Sequence, residues 1–321
     1  MRILVTGADG FVGRHLMPTL AAQFPQAELI GCGRTSGAER VDITDPAALQ
    51  ALVARVQPTG CVHLAAVAAV SDARADPACA WAVNLHGTLA LGRAILLHAP
   101  QCRLVFASTA DLYGASFRAG VALDETALPA PLNTYAATKA AAELGLGVMA
   151  AEGLRVVRVR PFNHTGPGQR PNFAVPAFAR QIMRIQAGLQ PPVLHVGDLS
   201  PWRDFLDVRD VCAAYAACLR PEIAIAPGTI LNIASGQPRR IGDVLQMLIQ
   251  QAGVTAEVVT DSALLRRSDI PMAVGNARAA RDLLGWRPRI DWSTTISDVI
   301  ADWRIRVTEE TATEEYAQEE T

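Results

Sequence analysis

The sequence is nearly devoid of lysine: Lys139 is the one lysine in 321 residues, against 28 arginines. A lysine retained at a single position indicates a need for a compact, flexible ammonium that a planar guanidinium does not replace. The six cysteines are scattered without a C-x-x-C pair, and the six histidines lack the spacing of metal ligands. The sequence therefore predicts no metal site and reduced thiols in a cytoplasmic protein.

Charge imbalance and long apolar runs are also missing. The formal net charge of -2 gives no basic footprint for nucleic acid. No apolar run approaches the 18 residues of a membrane span, and the chain begins directly with a strand pattern, without a signal peptide. Half of the residues are hydrophobic, so we expect a globular protein with a large core.

Short apolar strands alternate with helices over the first half of the chain, which is typical of an α/β fold with a doubly wound parallel sheet (Rossmann). We assign residues 1–162 to a dinucleotide-binding domain, with a long Ala-rich helix expected over about 77–97. Residues 163–307 are richer in Pro and Gly and predict a smaller, mixed α/β substrate-binding part, some strands of which can rejoin the first sheet. Residues 308–321, rich in Glu and Thr, predict a disordered acidic tail.

A glycine-rich turn follows the first strand. Gly7, Gly10 and Gly13 form G-x-x-G-x-x-G, and Phe11 and Val12 open the next helix. Glycines permit a tight turn and close approach of the backbone to a pyrophosphate, which the positive N-terminal end of the helix attracts. We therefore predict that this turn binds a dinucleotide.

The second strand ends without the carboxylate that usually binds the ribose hydroxyls of NAD. Arg34 stands there instead, with Ser36 nearby, and the pair can hold a 2′-phosphate. The sequence thus favours NADP(H), with NAD(H) as the alternative. Asp42, followed by Ile43, can reach the adenine, or it can belong to the N-terminal cap of a helix at Thr44 or Asp45.

Tyr135 and Lys139 are spaced to share one face of a predicted helix over 134–151. A cation beside a tyrosine favours the phenolate, so we expect the pKa of Tyr135 to lie below its ordinary value near 10. Such a phenol can exchange a proton with an alcohol or a carbonyl oxygen. The alternative is a surface lysine beside a half-buried tyrosine.

Together these residues resemble the extended short-chain dehydrogenase/reductase family, which contains nucleotide-sugar epimerases, dehydratases and reductases. The resemblance covers residues 1 to about 305. Its motifs are the glycine turn, His63-Leu64-Ala65-Ala66, Asn84, Ser108-Thr109-Ala110-Asp111, Tyr135-x-x-x-Lys139, Arg160-Pro161-Phe162-Asn163, Trp202-Arg203-Asp204 and Arg266-Arg267-Ser268-Asp269.

The resemblance implies a role for each matched residue. Thr109, Tyr135 and Lys139 would be catalytic, with Lys139 also binding the nicotinamide ribose. Leu64, Ala65, Ala66, Asn84 and Pro161 would line the cofactor, while His63 is interpreted as structural. The nucleotide sugar would contact Thr109, Asp111, Asn163, Arg203 and Arg266.

Within the family, the later segments resemble the reductases of the C4 ketone of GDP-4-keto-6-deoxy-D-mannose. Their product, GDP-D-rhamnose, serves glycans such as lipopolysaccharide. Asp111 stands where the 4,6-dehydratases carry a glutamate base, which argues against a dehydratase. A 4-epimerase, a reductase that yields GDP-6-deoxy-D-talose, and a non-catalytic NADP sensor remain alternatives. The resemblance further implies a homodimer formed by the helices near 77–97 and 134–151.

Overall fold

A computed structural model describes residues 1–33, 39–265 and 270–319, with side chains through residue 310. Its strands are β1 (Arg2–Thr6), β2 (Glu28–Gly33), β3 (Glu39–Arg40), β4 (Gly60–His63), β5 (Arg103–Ala107), β6 (Val156–Pro161), β7 (Asn163–Thr165), β8 (Val193–Val196), β9 (Trp202–Asp207), β10 (Ile230–Ile233), β11 (Pro238–Arg240), β12 (Glu257–Thr260) and β13 (Met272–Ala273).

The helices alternate with these strands. They are α1 (Phe11–Gln23), α2 (Pro46–Val56), α3 (Val70–Ala75), α4 (Pro77–Trp81), α5 (Thr88–His98), α6 (Thr134–Ala151), α7 (Ala174–Gln186), α8 (Val208–Cys218), α9 (Ile241–Ala252), α10 (Arg278–Leu284) and α11 (Trp292–Glu319). A π-helical turn (Ala82–Gly87) joins α4 to α5, and 3₁₀ turns span Ala110–Ala119 and Ser262–Leu264.

The main sheet is parallel throughout, in the order β10-β6-β5-β4-β1-β2-β3. From β1 the chain continues outward to β2 and β3 on one side of the sheet. It then crosses back and adds β4 on the other side of β1, so the strand order reverses between β1 and β4. In open parallel sheets this reversal leaves a crevice at the carboxyl ends of the strands, where ligands bind. The predicted doubly wound parallel sheet is confirmed.

Apolar helices cover both faces of the main sheet. One face packs against α1, α8 and α10, and the other against α2, α5 and α6. Both β10 and α8 come from the later half of the sequence, so residues 163–307 contribute to the first layer as well as to a second one. The second layer has its own core between α7, α9 and α11.

The chain is helical over the predicted range 77–97, but α4 and α5 are joined by a wider π-helical turn that contains Asn84. The side chain of Asn84 bonds to the backbone of Val67 and to Thr138, and the widened turn directs it there.

The expectation of a disordered tail from residue 308 is also wrong, because α11 continues to Glu319. Extending an existing helix needs no new nucleus, and Glu and Ala are good helix formers. Within the described residues, no helix has the length and apolarity needed to cross a membrane.

Candidate active site

The glycine turn lies at the carboxyl end of β1, beside the strand-order reversal. Gly7 has a φ of +72°, and a Cβ there would lie 2.8 Å from the nitrogen of Ala65. At Gly13 a Cβ would lie 2.4 Å from the carbonyl oxygens of Gly7 and Ala8. Neither position has room for a side chain. Glycine is needed at both because the turn packs closely against α1 and against the loop after β4.

The first turn of α1 is suited to an anion. Gly10 precedes the helix in an extended conformation without a side-chain cap, and the first turn, with Phe11 and Val12, contains no acidic residue. The first amides of a helix have no partner within the helix, and the helix dipole makes this end positive. The turn therefore fits the pyrophosphate of a dinucleotide.

The end of β2 is described only as far as Gly33. Arg34 and Ser36, the residues predicted to hold a 2′-phosphate, lie outside the described residues. Asp42 accepts hydrogen bonds from the backbone amide and hydroxyl of Thr44, at 2.9 and 2.8 Å. Asp45 caps α2 through the amides of Ala47 and Ala48, so the predicted cap falls at Asp45. Ile43, predicted to contact the cofactor, is buried in the core.

His63, at the end of β4, is fully buried and bonded on both nitrogens. Nδ1 lies 2.6 Å from the Thr6 hydroxyl, and Nε2 lies 2.9 Å from the Thr88 hydroxyl. Since the Thr88 hydroxyl donates to the carbonyl of Asn84, it accepts from Nε2–H of His63. Burial lowers the pKa of His63 to about 3, and the charge of Lys139 adds to this effect. His63 is thus a neutral structural residue, as the sequence analysis interpreted it.

The loop after β4, with Leu64, Ala65 and Ala66, faces the glycine turn. The amide of Leu64 donates to the carbonyl of Thr6 at 3.1 Å, which joins this loop to β1. Asn84, predicted to line the cofactor, holds the same loop through Val67 and links it to Thr138 of α6. The side-chain amide of Asn84 therefore holds this loop in place through hydrogen bonds.

Tyr135 opens α6, whose N-terminal cap is Asn133. Burial raises the pKa of the Tyr135 phenol, the Asp111 carboxylate raises it further, and a hydrogen bond with the Thr109 side chain opposes both. Thr109 is buried, and its hydroxyl accepts from the amide of Asp111 at 3.1 Å. These contacts bring together Thr109, Asp111 and Tyr135.

Lys139 lies one turn after Tyr135 and is 3% exposed. Its ammonium is 4.2 Å from the centroid of the Phe106 ring. Burial lowers the pKa of Lys139 to about 7, and the Glu143 carboxylate opposes this effect. The prediction that Lys139 holds the phenol acidic is wrong for this structure, because burial and Asp111 dominate the pKa of Tyr135. A neutral phenol is a proton donor, which suits the reduction of a ketone.

Of the predicted substrate residues, Thr109 and Asp111 follow β5 of the main sheet, while Asn163 and Arg203 lie on β7 and β9. Desolvation raises the pKa of the Asp111 carboxyl, and the nearby Arg203 guanidinium lowers it. Arg203, on β9, also donates to the carbonyls of Trp202 and Ile270. Asn163 is exposed at the start of β7, and Pro161 ends β6. Arg266 lies outside the described residues.

A buried carboxylate that the sequence analysis did not single out lies below this site. Glu143 is on α6, four residues after Lys139, and is 3% exposed. Its oxygens accept from Ser108 and from the guanidinium of Arg160. The spacing from Lys139 was the available signal, since residues four apart share a helix face.

These features define a dinucleotide-binding protein with a Thr–Tyr–Lys set beside the cofactor turn. The chain belongs to the NAD dependent epimerase/dehydratase family, whose model matches residues 3–234. Within the described residues, no cluster of His, Cys, Asp or Glu is suited to a metal.

Individual relatives cover almost the whole chain. The sequence is 38% identical to the GDP-6-deoxy-D-mannose reductase of Pseudomonas aeruginosa, over 96% of this chain and 99% of the relative. It is 29% identical to the GDP-6-deoxy-D-talose 4-dehydrogenase of Aggregatibacter actinomycetemcomitans, over 89% and 92% of the two chains. The fold matches the solved structure of RMD from Pseudomonas aeruginosa complexed with NADPH, with a TM-score of 0.86, 36% identity and coverage of 95% and 99%.

Proposed function

We propose that this protein is an NAD(P)H-dependent reductase that converts the C4 ketone of GDP-4-keto-6-deoxy-D-mannose to the alcohol of GDP-D-rhamnose. The observation that carries the proposal is the grouping of Tyr135 with Thr109, to which it is hydrogen-bonded, and with Lys139 one helical turn later on α6. The similarity to a GDP-6-deoxy-D-mannose reductase over nearly the full chain supports the substrate.

Tyr135 and Thr109 act on the ketone oxygen. When bound, the reduced nicotinamide supplies a hydride to C4. The phenol of Tyr135 donates its proton to the oxygen as negative charge develops there, and the Thr109 hydroxyl stabilises the same charge. Lys139, one helical turn after Tyr135, would hold the nicotinamide ribose.

Arg203 and Asn163 bind the diphosphate side of the substrate, together with Arg266. Arg203 is partly buried and close enough to Asp111 for each to shift the pKa of the other. A guanidinium matches the geometry of phosphate oxygens. Asp111 lies near Tyr135 and is exposed, so its carboxyl oxygens can accept hydrogen bonds from sugar hydroxyls. These roles favour a GDP-sugar over a substrate without a diphosphate.

NADPH is the favoured cofactor and NADH the alternative. The end of β2 has no acidic residue through Gly33, and the similar solved structure contains NADPH. Binding of the pyrophosphate falls to the first turn of α1.

The second candidate is a C4 oxidoreductase of opposite stereochemistry, favoured by the similarity to a GDP-6-deoxy-D-talose 4-dehydrogenase. The two reactions differ only in the face of the ketone that receives the hydride. The deciding experiment incubates the purified protein with GDP-4-keto-6-deoxy-D-mannose and NADPH or NADH. A reductase consumes the reduced cofactor stoichiometrically, and NMR of the product identifies rhamnose or 6-deoxytalose. Interconversion of two GDP-sugars that differ in the configuration of the C4 hydroxyl, without net consumption of reduced cofactor, would indicate a 4-epimerase instead.

Replacement of Tyr135 by Phe tests the mechanism. We expect Tyr135→Phe to lower kcat by about 100-fold or more, because the proton donor is lost. The Kd for NADPH, measured by the change in its fluorescence, should change little. Wild-type turnover in this variant would remove Tyr135 from the reaction.

We further propose a homodimer, in a reducing compartment such as the cytoplasm. On the outer faces of α5 and α6, Leu97, Leu144 and Val148 are 65%, 64% and 64% exposed. Three large apolar side chains on adjacent helices form a patch suited to a second copy of the same helix pair. All six cysteines are free thiols, and all but Cys79 are buried.

A further inference from the structure

Glu143 is a buried carboxylate that lies on α6 beneath the active site. Its carboxylate oxygen Oε2 accepts from the Ser108 hydroxyl at 2.5 Å. Its other oxygen, Oε1, accepts from Nη2 and Nε of Arg160 at 2.5 and 3.0 Å. Glu143 and Arg160 are both 3% exposed, so this ion pair is formed away from water.

The carboxylate joins three elements at the point where each contributes to the site. Ser108 directly precedes Thr109 at the end of β5, and Arg160 directly precedes Pro161 in β6. Glu143 itself is one turn after Lys139 and two turns after Tyr135 on α6. A shift of this carboxylate therefore moves the Thr109 backbone relative to the catalytic helix.

Arg160 is itself held on its other side. Its Nη1 donates to the Tyr113 phenol at 2.8 Å, and that phenol donates to Asn232 of β10 at 2.8 Å. Arg158 adds a bond to the Glu143 carbonyl at 3.3 Å. The position of Glu143 is thus fixed from β5, β6 and β10, as expected for a satisfied buried polar network.

Among the described residues, three groups act on the ammonium of Lys139. They are His63 from β4, the Phe106 ring from β5 and Glu143 from α6, while Asn84 of the nearby π-helical turn bonds elsewhere. His63 is neutral, and Phe106 and Asn84 do not titrate. Glu143 is the carboxylate of this set, and its charge opposes the effect of burial on the pKa of Lys139.

We propose that Glu143 is a positioning residue: its buried carboxylate fixes Thr109 through Ser108 and keeps Lys139 charged under Tyr135. The Arg160 guanidinium holds the carboxylate in place. A glutamine would keep the size and one acceptor oxygen but lose the charge. The inference rests on the proposed roles of Thr109, Tyr135 and Lys139.

The single lysine allows a direct test. Lysine labelled with ¹³C at Cε gives one side-chain signal from the untagged protein, and its titration reports the pKa of Lys139 without substrate or cofactor. We expect the wild-type signal to titrate near pH 7. In Glu143→Gln it should titrate at a pH lower by about one unit, because the stabilising charge is gone. An unchanged titration would overturn the electrostatic part of the proposal.

Kinetics provide the second readout. In Glu143→Gln we expect kcat to fall by about 10- to 100-fold at neutral pH and the alkaline limb of its pH profile to move to lower pH, following Lys139. A purely structural Glu143 would lower the melting temperature but leave the pH profile of the folded protein unchanged. Because the lysine signal needs no turnover, failure of the proposed reaction and failure of this inference are distinguishable.

Loss of one buried charge can prevent folding, since Arg160 is left unpaired. In that case the double variant Glu143→Gln/Arg160→Gln removes both members of the ion pair. The lysine signal is then expected to titrate at lower pH than in the wild type, by less than in the single variant, because loss of the Arg160 cation acts in the opposite direction. Ser108→Ala keeps the ion pair and should lower kcat about tenfold without moving the lysine signal. Unchanged turnover in Ser108→Ala would overturn the link to Thr109.

Discussion

The buried polar residues around the cleft follow one rule: each is either neutral or paired. His63 is neutral between two threonine hydroxyls, and Glu143 is paired with Arg160. Lys139 is the intermediate case: burial lowers its pKa to about 7, and the Glu143 carboxylate one helical turn away opposes this effect. A buried charge is costly, so the charged form of Lys139 depends on such a partner. Lys139, which differs from the other buried polar residues in this way, is also the single lysine of the sequence.

The buried imidazole of His63 predicts a particular sensitivity to acid. Its folded pKa of about 3 lies below the ordinary 6.5. Between these values the unfolded chain binds a proton that the folded protein does not, so stability is present above pH 6.5 and is lost as the pH falls toward 3. We expect the free energy of unfolding to fall by up to about 1.4 kcal/mol per pH unit in this window from His63 alone.

Urea unfolding between pH 7 and pH 4 measures this effect. The control is His63→Gln, which keeps a hydrogen-bonding side chain but has no titrating ring. Its stability should depend less steeply on pH than that of the wild type. Equal slopes would mean that His63 is protonated in the folded protein.

At the scale of elements, the glycine turn and α1 form one unit. A Cβ at Gly13 would lie 2.4 Å from two carbonyl oxygens of the turn, so Gly13→Ala must push the turn away from the helix. We expect the Kd for NADPH to rise by about tenfold or more, because the amides that face the pyrophosphate move. Titration of NADPH fluorescence measures this change.

Gly242→Ala is a matched control for that variant. Gly242 is in α9, and a Cβ there would meet its nearest atom at 3.4 Å, which is an ordinary contact. Alanine is also the better helix former. We expect unchanged NADPH affinity, whereas an equal loss in both variants would mean that the effect is not specific to the turn.

Local patterns made much of this architecture predictable. The spacing of Tyr135 and Lys139 sets their common helix face, and the strand–glycine–helix pattern gives β1, the turn and α1 with their observed bounds. The π-helical turn within the helix over 77–97 was not predictable, because Asn84 is held by Val67 and Thr138, which are 17 and 54 residues away. The Glu143 network was missed for the same reason: Arg160 and Ser108 are 17 and 35 residues distant.

At the scale of the whole molecule, helices from the later part of the chain pack against earlier ones. The helix α8 packs on α1 beside the cofactor turn, and α11 packs on α7, where Arg184 pairs with Glu310 at 2.6 Å. The acidic composition that suggested disorder is thus partly used in an ion pair with the basic face of α7.

The apolar surface of α5 and α6 predicts the oligomeric state. Replacing Leu144 and Val148 by Glu places two like charges at the centre of the proposed interface, where the two-fold axis brings both copies together. We expect the wild type to behave as a dimer and the double variant as a folded monomer in sedimentation-velocity analysis. Ile305→Glu is the control, since this α11 residue is 62% exposed, comparable with Leu144, but lies on another surface. If the wild type sediments as a monomer, or if the control dissociates equally, α5 and α6 do not form the contact.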